Sequence, residues 1–183
     1  MATAELLLTL EAFCRLVPER RMVELVKGAI VEMNPPTFRH GAVCIEVAAI
    51  LRNYVKPKQL GRVIGNDSGV ITTRNPDTLR GPDVAFYSVA RIPTGQIQTR
   101  YPEVSPDLVC EVMSEHDRWK EVMGKAAEYL EAGVTAVCIF HPDHETITIV
   151  RGDREPEVLH ANDDFTLPEI LGEFRVAVRE FFA

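Results

Sequence analysis

The residue least at home in its surroundings is Glu111, inside the otherwise apolar run Leu108-Val109-Cys110-Glu111-Val112-Met113. Strand alternation sets Val109, Glu111 and Met113 on one face and Leu108, Cys110 and Val112 on the other. An unpaired carboxylate buried there would cost several kcal/mol, so Glu111 needs a cation partner, a metal ion or a place at the strand end. Asp83 opens another apolar run just after Pro82. A Pro-Asp at a strand start is often only turn chemistry. Asp107, after Pro106, has that same context, and for it the turn reading is preferred. Lys125 lies on a helical stretch where Glu121, Lys125 and Tyr129 fall at i, i+4 and i+8, on one face. The plain alternative there is an exposed Glu121–Lys125 pair worth a few tenths of a kcal/mol.

Together, Asp83, Glu111 and Lys125 suit phosphodiester hydrolysis. Two carboxylates on adjacent strands can hold Mg²⁺ or Mn²⁺, hard cations that favour oxygen ligands. Such an ion activates a bound water and offsets phosphate charge. A nearby lysine orients that water or stabilises charge developing in the transition state.

Positioning these groups requires a particular set of elements. Thr9 caps a short helix to about Leu16, which Pro18 stops. MVELV and AIVEM alternate around Lys27-Gly28, the signature of a hairpin. Val43, Val47, Ile50, Leu51 and Tyr54 recur at three and four, predicting a helix from Phe38 to about Val55. RVIGN and GVITT are strands divided by a turn at Asp67-Ser68-Gly69, and a Pro-rich loop leads to the strand of Asp83. Ser114 or Asp117 is expected to cap the Lys125 helix, which runs to about Ala132 before Gly133. VTAVCIF and ETITIVR follow as strands around a His141-Pro142-Asp143-His144 turn, and a short helix or strand near 168–182 closes the chain. That order describes one α/β (α+β) domain over residues 1–183, a mixed sheet flanked by helices.

Charge complicates a phosphate-binding role. The net charge is -7, whereas nucleic acid favours basic surfaces. The acidity is concentrated late: residues 111–183 carry seven Lys/Arg against sixteen Asp/Glu, while residues 1–60 carry eight against six. Cys14, Cys44, Cys110 and Cys138 are widely spaced in apolar stretches and form no C-x-x-C pair. They are expected to be reduced core thiols rather than zinc ligands. No stretch is apolar enough for a membrane span, and Glu5 and Glu11 interrupt the first apolar run, so a cytoplasmic location is expected.

Taken in order, LTLEAF, VELVKGAIVEMNPP, RH, GPDVAF, PDLVCEVMS and KAAEYLEAGV make the chain resemble the Uma-two family of small bacterial proteins. The resemblance spans nearly the whole chain and implies a restriction-endonuclease-like fold with a PD-(D/E)xK-type site. Asp83 and Glu111 match its two acids. The lysine of the wider superfamily lies two residues after the second acid, where this chain has Met113. The family places the amine on the next helix instead, and Lys125 matches it. Glu24, Glu32 and His40 also match recurrent positions, which would make Glu24 a further acid and His40 a contact to phosphate or metal-bound water. Glu121 stands where an Asp is common, Ala29 where a hairpin Glu is usual, and His141 where an Asp precedes the proline. The resemblance also points to nucleic acid, DNA first, as substrate and to a homodimer, which no motif encodes.

Other chemistries have less to stand on. His141 and His144 lack a third ligand for a transition metal. No Walker loop or G-x-G-x-x-G follows a strand, and Ser114 has no G-x-S-x-G elbow. The serious rival is a non-catalytic binding or assembly module on a nuclease fold, which the acidity favours.

Overall fold

The computed structural model describes residues 7–17, 22–96, 100–115 and 117–183. The first six residues and Pro18 lie outside them. Thr9 caps α1 (Leu10–Leu16) by accepting the Ala12 N–H. The hairpin strands β1 (Val23–Val26) and β2 (Ala29–Glu32) meet at Lys27 and Gly28, with φ of 49° and 79°. Two left-handed residues make the type I′ turn whose twist matches paired strands. α2 covers Phe38–Val55 and buries Val43, Val47, Leu51 and Val55, as its period predicts.

Next come β3 (Gly61–Gly65), β4 (Val70–Thr73), β5 (Thr78–Arg80), β6 (Val84–Ser88) and β7 (Leu108–Val112). α3 (Trp119–Glu131) connects β7 to β8 (Ala136–His141), and β9 (Thr146–Arg151) and β10 (Arg154–Leu159) complete the main sheet. The C-terminal segment holds β11 (Asp164–Phe165), α4 (Pro168–Leu171), β12 (Val176–Ala177) and a 3₁₀ turn at Val178–Phe181.

The main sheet has six strands in the order β10-β9-β8-β7-β6-β3. Its β7–β8 pair is parallel and the other pairs are antiparallel, so the sheet is mixed. The parallel pair follows from the α3 crossover. A second, four-stranded sheet runs β2-β1-β5-β4. One face of the main sheet packs Val84, Leu108, Cys110 and Val112 against α2 and the C-terminal Phe165 and Phe181. The other packs Ala85, Val109 and Val137 against Val122, Ala126 and Tyr129 of α3. β7 is buried along its length, as expected for a strand covered on both sides.

The two strands flanking Asp67 form as expected, and they belong to different sheets. Asn66 and Asp67 take φ of 62° and 52°, and the turn carries the chain from the six-stranded sheet to the four-stranded one. The Pro-rich loop contains β5, which pairs with both β1 and β4. Neither Ser114 nor Asp117 caps α3: its N-cap is Arg118 without a side-chain bond, and Asp117 accepts from the Ser114 N–H and hydroxyl. Gly133 follows α3 with φ of 96°, the left-handed C′ position. Cys110 and Cys138 are core thiols, but Cys14 is exposed and Cys44 half-buried. Among the described residues no helix is long and apolar enough to cross a membrane.

One carboxylate ties α1 to the second sheet. Asp77 accepts the Leu10 N–H at 2.7 Å, while its own carbonyl accepts from Gly28. Burial alone would raise its pKa, but the Leu10 and Asn75 N–H groups and Arg74 outweigh that and lower it. A lowered folded-state pKa adds stability above the ordinary carboxylate range, which disappears as pH falls through the folded value. Asp77→Asn should therefore cost about 1.5–3 kcal/mol at neutral pH, the worth of hydrogen bonds to a charged group. Urea unfolding at pH 7 and pH 3 checks this: the gap to the parent should narrow in acid, and an equal gap at both would refute the assignment.

Candidate active site

Val84 pairs with Cys110 across β6 and β7, so extending the register by one residue sets Asp83 opposite Glu111. Alternation turns Glu111 toward the α3 face, alongside Val109. Asp83 is fixed at the mouth of the same strand pair, where its Oδ2 accepts the Val112 N–H at 2.7 Å. The two expected acids thus occupy neighbouring strand ends. Asp107, by contrast, accepts the Ser88 N–H and pairs with Arg91 at the opposite end of β6, the turn role expected of it.

Glu111 is buried, and its Oε1 accepts from the Tyr129 hydroxyl at 2.9 Å. Its pKa is pushed up to about 8, first by burial and then by Asp83 and Glu24, against the lowering effects of Lys125 and Tyr129. Burial also works against the charge on Lys125, yet Glu111 and then Glu24 outweigh it and raise the amine's pKa. Lys125 is therefore a cation in a crowd of acids.

The ion pair that Lys125 makes is with Glu24 of β1, at 3.5 Å. Glu24 is nearly sealed from solvent at 4% exposure and also accepts from Arg80 at 2.8 Å and from the Gly81 N–H at 3.1 Å. Arg80 in turn donates to both carboxylate oxygens of Glu128, which also accepts from the Thr72 hydroxyl. The chain Lys125–Glu24–Arg80–Glu128 locks the hairpin and β5 onto α3, so the second sheet forms one wall of the site. Arg80 and Glu128 were not singled out by sequence. Their only signal was adjacency to the Gly-Pro-Asp and Tyr129 segments, because a partner 48 residues away has no local signature.

His40, on the first turn of α2, brings Nε2 to 3.3 Å from Asp83 Oδ1. Its hydrogen bond to Asp83 raises its pKa despite burial. Cys44, one turn on, holds its Sγ 3.4 Å from His40 Nδ1. Loss of solvent, then Asp83, raises the pKa of Asp67. Glu121 is exposed at the start of α3, and Glu32 is exposed on β2. The face-sharing Tyr129 turns inward to Glu111 instead, which the spacing allowed but did not specify. Met113 packs with the α3-side core. His141 contacts Thr148 at 3.2 Å and stacks near Trp119.

The arrangement brings Asp83, Glu111, Lys125, Glu24 and His40 to one end of β6 and β7 and leaves Glu121 and Glu32 outside it. Carboxylate oxygens are the ligand type that hard divalent cations favour, and a charged amine is a group that attracts phosphate.

Comparison with known proteins agrees with this architecture. A crystal structure described as "a putative nuclease belonging to DUF820", from Anabaena variabilis ATCC 29413, superposes with a TM-score of 0.83 at 22% identity, over 96% of this chain and 97% of that one. The fold is thus restriction-endonuclease-like, an α+β domain on a mixed sheet, as expected. None of the curated proteins matches. The family model described as "Putative restriction endonuclease" matches residues 9–179, nearly the whole sequence, and the chain belongs to that family, Uma2.

Proposed function

We propose that residues 1–183 form one nuclease domain that hydrolyses phosphodiester bonds of nucleic acid, DNA first, with Mg²⁺ or Mn²⁺ held by Asp83 and Glu111. The observation that carries this reading is a buried Glu111, bonded by Tyr129 and electrostatically coupled to Asp83 and Lys125. Such a carboxylate is costly unless a cation compensates it. Family membership and the Anabaena nuclease support the same reading.

The donor set fits a hard divalent ion, since two carboxylates on adjacent strands offer oxygen and little else. When bound, that ion supplies Lewis acidity and a water of lowered pKa. The chain supplies the rest. Tyr129 fixes the rotamer of Glu111, and the Val112 N–H fixes that of Asp83. Lys125, steered by Glu24, presents a permanent positive charge where phosphate charge develops. His40, partnered by Asp83, is placed to contact a phosphate oxygen or a proton on attacking water. Arg80 positions Glu24 and touches no reacting atom in this reading.

A homodimer would build the groove that an acidic chain of this size needs, and the four free cysteines suit the reducing cytoplasm. The net charge of -7 favours the rival reading, a binding module without catalysis.

Cleavage of single-stranded, duplex and branched DNA and of RNA, with Mg²⁺ or Mn²⁺, separates the two. Activity should fall on the order of 10²-fold or more in Asp83→Ala, Glu111→Ala and Lys125→Ala, and also in Asp83→Asn, whose amide oxygen can still accept the Val112 N–H and should keep the parent's melting temperature. No metal binding, with substitutions altering stability alone, would establish the module instead.

The second test concerns pH. With a pKa of about 8, Glu111 is mostly neutral at pH 7 in the metal-free protein and gives up its proton on taking a cation. Apparent Mg²⁺ affinity should rise with pH up to about 8 and then level off. Removing the Tyr129 hydroxyl takes away a bond that favours the charged carboxylate, so Tyr129→Phe should move this midpoint upward. Calorimetric Mg²⁺ titrations across that range read it directly, and a flat profile, or a downward shift in the variant, would count against the role of Glu111.

A further inference from the structure

Next to the two acids lies a trio of different chemistry: His40, Cys44 and Asp83. Among the described residues it is the one group of three or more His, Cys, Asp or Glu side chains whose ligand atoms all lie within 4.8 Å of one another. His40 and Cys44 stand four residues apart on α2, which places them one above the other on a single helix face. Cys44 Sγ lies 3.4 Å from His40 Nδ1, and His40 Nε2 lies 3.3 Å from Asp83 Oδ1. All three are partly buried, so the cluster is neither sealed from solvent nor loose on the surface.

We propose that His40, Cys44 and Asp83 form a second cation site, selective for a borderline-soft divalent ion such as Zn²⁺, and that through Asp83 this ion excludes Mg²⁺ from the neighbouring acids. The first half stands on the trio alone. The second rests on the nuclease reading given above.

The donor set decides the ion. Sulfur, imidazole nitrogen and one carboxylate oxygen suit Zn²⁺, whereas Mg²⁺ takes oxygen and avoids sulfur. Zinc bonds of about 2.0–2.3 Å in tetrahedral geometry put ligand atoms roughly 3.3–3.6 Å apart. One imidazole gives a single nitrogen to the ion, so either the 3.4 Å separation at Nδ1 or the 3.3 Å separation at Nε2 already matches, and the other two, within 4.8 Å, need side-chain adjustments of at most about 1.5 Å. Three protein ligands leave the fourth position for water. The thiol loses its proton to solvent as the sulfur takes the ion.

Exclusion follows from how Asp83 is held. Its Oδ2 is committed to the Val112 N–H at 2.7 Å, which leaves Oδ1, the oxygen facing His40, as its outward ligand atom. Zinc on Oδ1 withdraws from the Mg²⁺ site the freer of the two Asp83 oxygens, and places a second divalent charge beside it.

Cobalt(II) serves as the spectroscopic probe. Titrated into the metal-free full chain, it should produce thiolate-to-cobalt charge-transfer absorption saturating near one equivalent and erased by Zn²⁺. The band should vanish in Cys44→Ser and His40→Ala and persist in Cys14→Ser. No band in the parent, or a band that survives Cys44→Ser, overturns the site. Zinc should also slow alkylation of Cys44 in the unsubstituted chain, followed by peptide mass spectrometry, a readout that does not depend on how the variants fold. Unchanged alkylation counts against the site.

For exclusion, the readout is the ratio of Mg²⁺-supported cleavage without and with micromolar Zn²⁺. That ratio should be at least about tenfold larger in the parent than in Cys44→Ser, the loss expected when a metal ligand is removed. Equal ratios, or stimulation by zinc, overturn it. If the chain cuts no nucleic acid with any cation, the nuclease reading fails while the cobalt spectrum still decides the trio.

Discussion

Everything in this molecule has to accommodate one buried carboxylate. Glu111 sits in the central strand of the main sheet, where solvent cannot stabilise its charge. Removing an ion from water costs several kcal/mol, and neighbouring structure must offset it. One hydrogen bond comes from Tyr129 and a positive charge comes from Lys125, both on the crossover helix. That helix can reach β7 only because β7 and β8 are parallel, which requires a crossover over this face of the sheet. The topology of the sheet and the chemistry of the acid are therefore a single problem.

The second sheet belongs to the same accounting. Lys125 would be a buried charge in excess without Glu24, and Glu24 would be an orphan without Arg80 and the Gly81 N–H. Arg80 spans two acids from different elements, and Glu128 returns the network to α3. Each charge is tolerated because another element delivers its counterpart. Such networks are fully satisfied or expensive. This explains why a hairpin that contributes little to the main core is nonetheless fixed against it: its Glu24 is 4% exposed although β2 beside it faces solvent.

Periodic features were legible in the sequence. The apolar rows of α2, the alternation of the hairpin and the continuous apolar run of β7 each follow from local spacing, and the structure reproduces them. Glu111 stood out because it breaks such a run. Less legible was anything depending on partners distant in sequence. β5 is only three residues between prolines, and its strand character comes from lying between β1 and β4. Arg80 looks like an ordinary polar residue until Glu24 and Glu128 arrive from 56 and 48 residues away. Cys44 resembles a core thiol on an apolar helix face, one turn after His40, and only the docking of β6 sets Asp83 beside the two. Ser114 and Asp117 show the reverse error, in which good capping residues bond each other and leave the helix start bare.

The placement of the amine on α3, with Met113 packed into the core where a strand lysine might have been, has a consequence for the life of the chain. Glu111 and the Lys125 amine are carried by separate pieces of backbone that meet only after α3 docks across β7. A polypeptide still emerging from the ribosome, with β7 made and α3 not yet seated, carries Glu111 without the amine and the hydroxyl that accompany it. The cost of burying that acid is therefore not offset until synthesis has passed the helix, a delay that a lysine two residues from the acid would not impose.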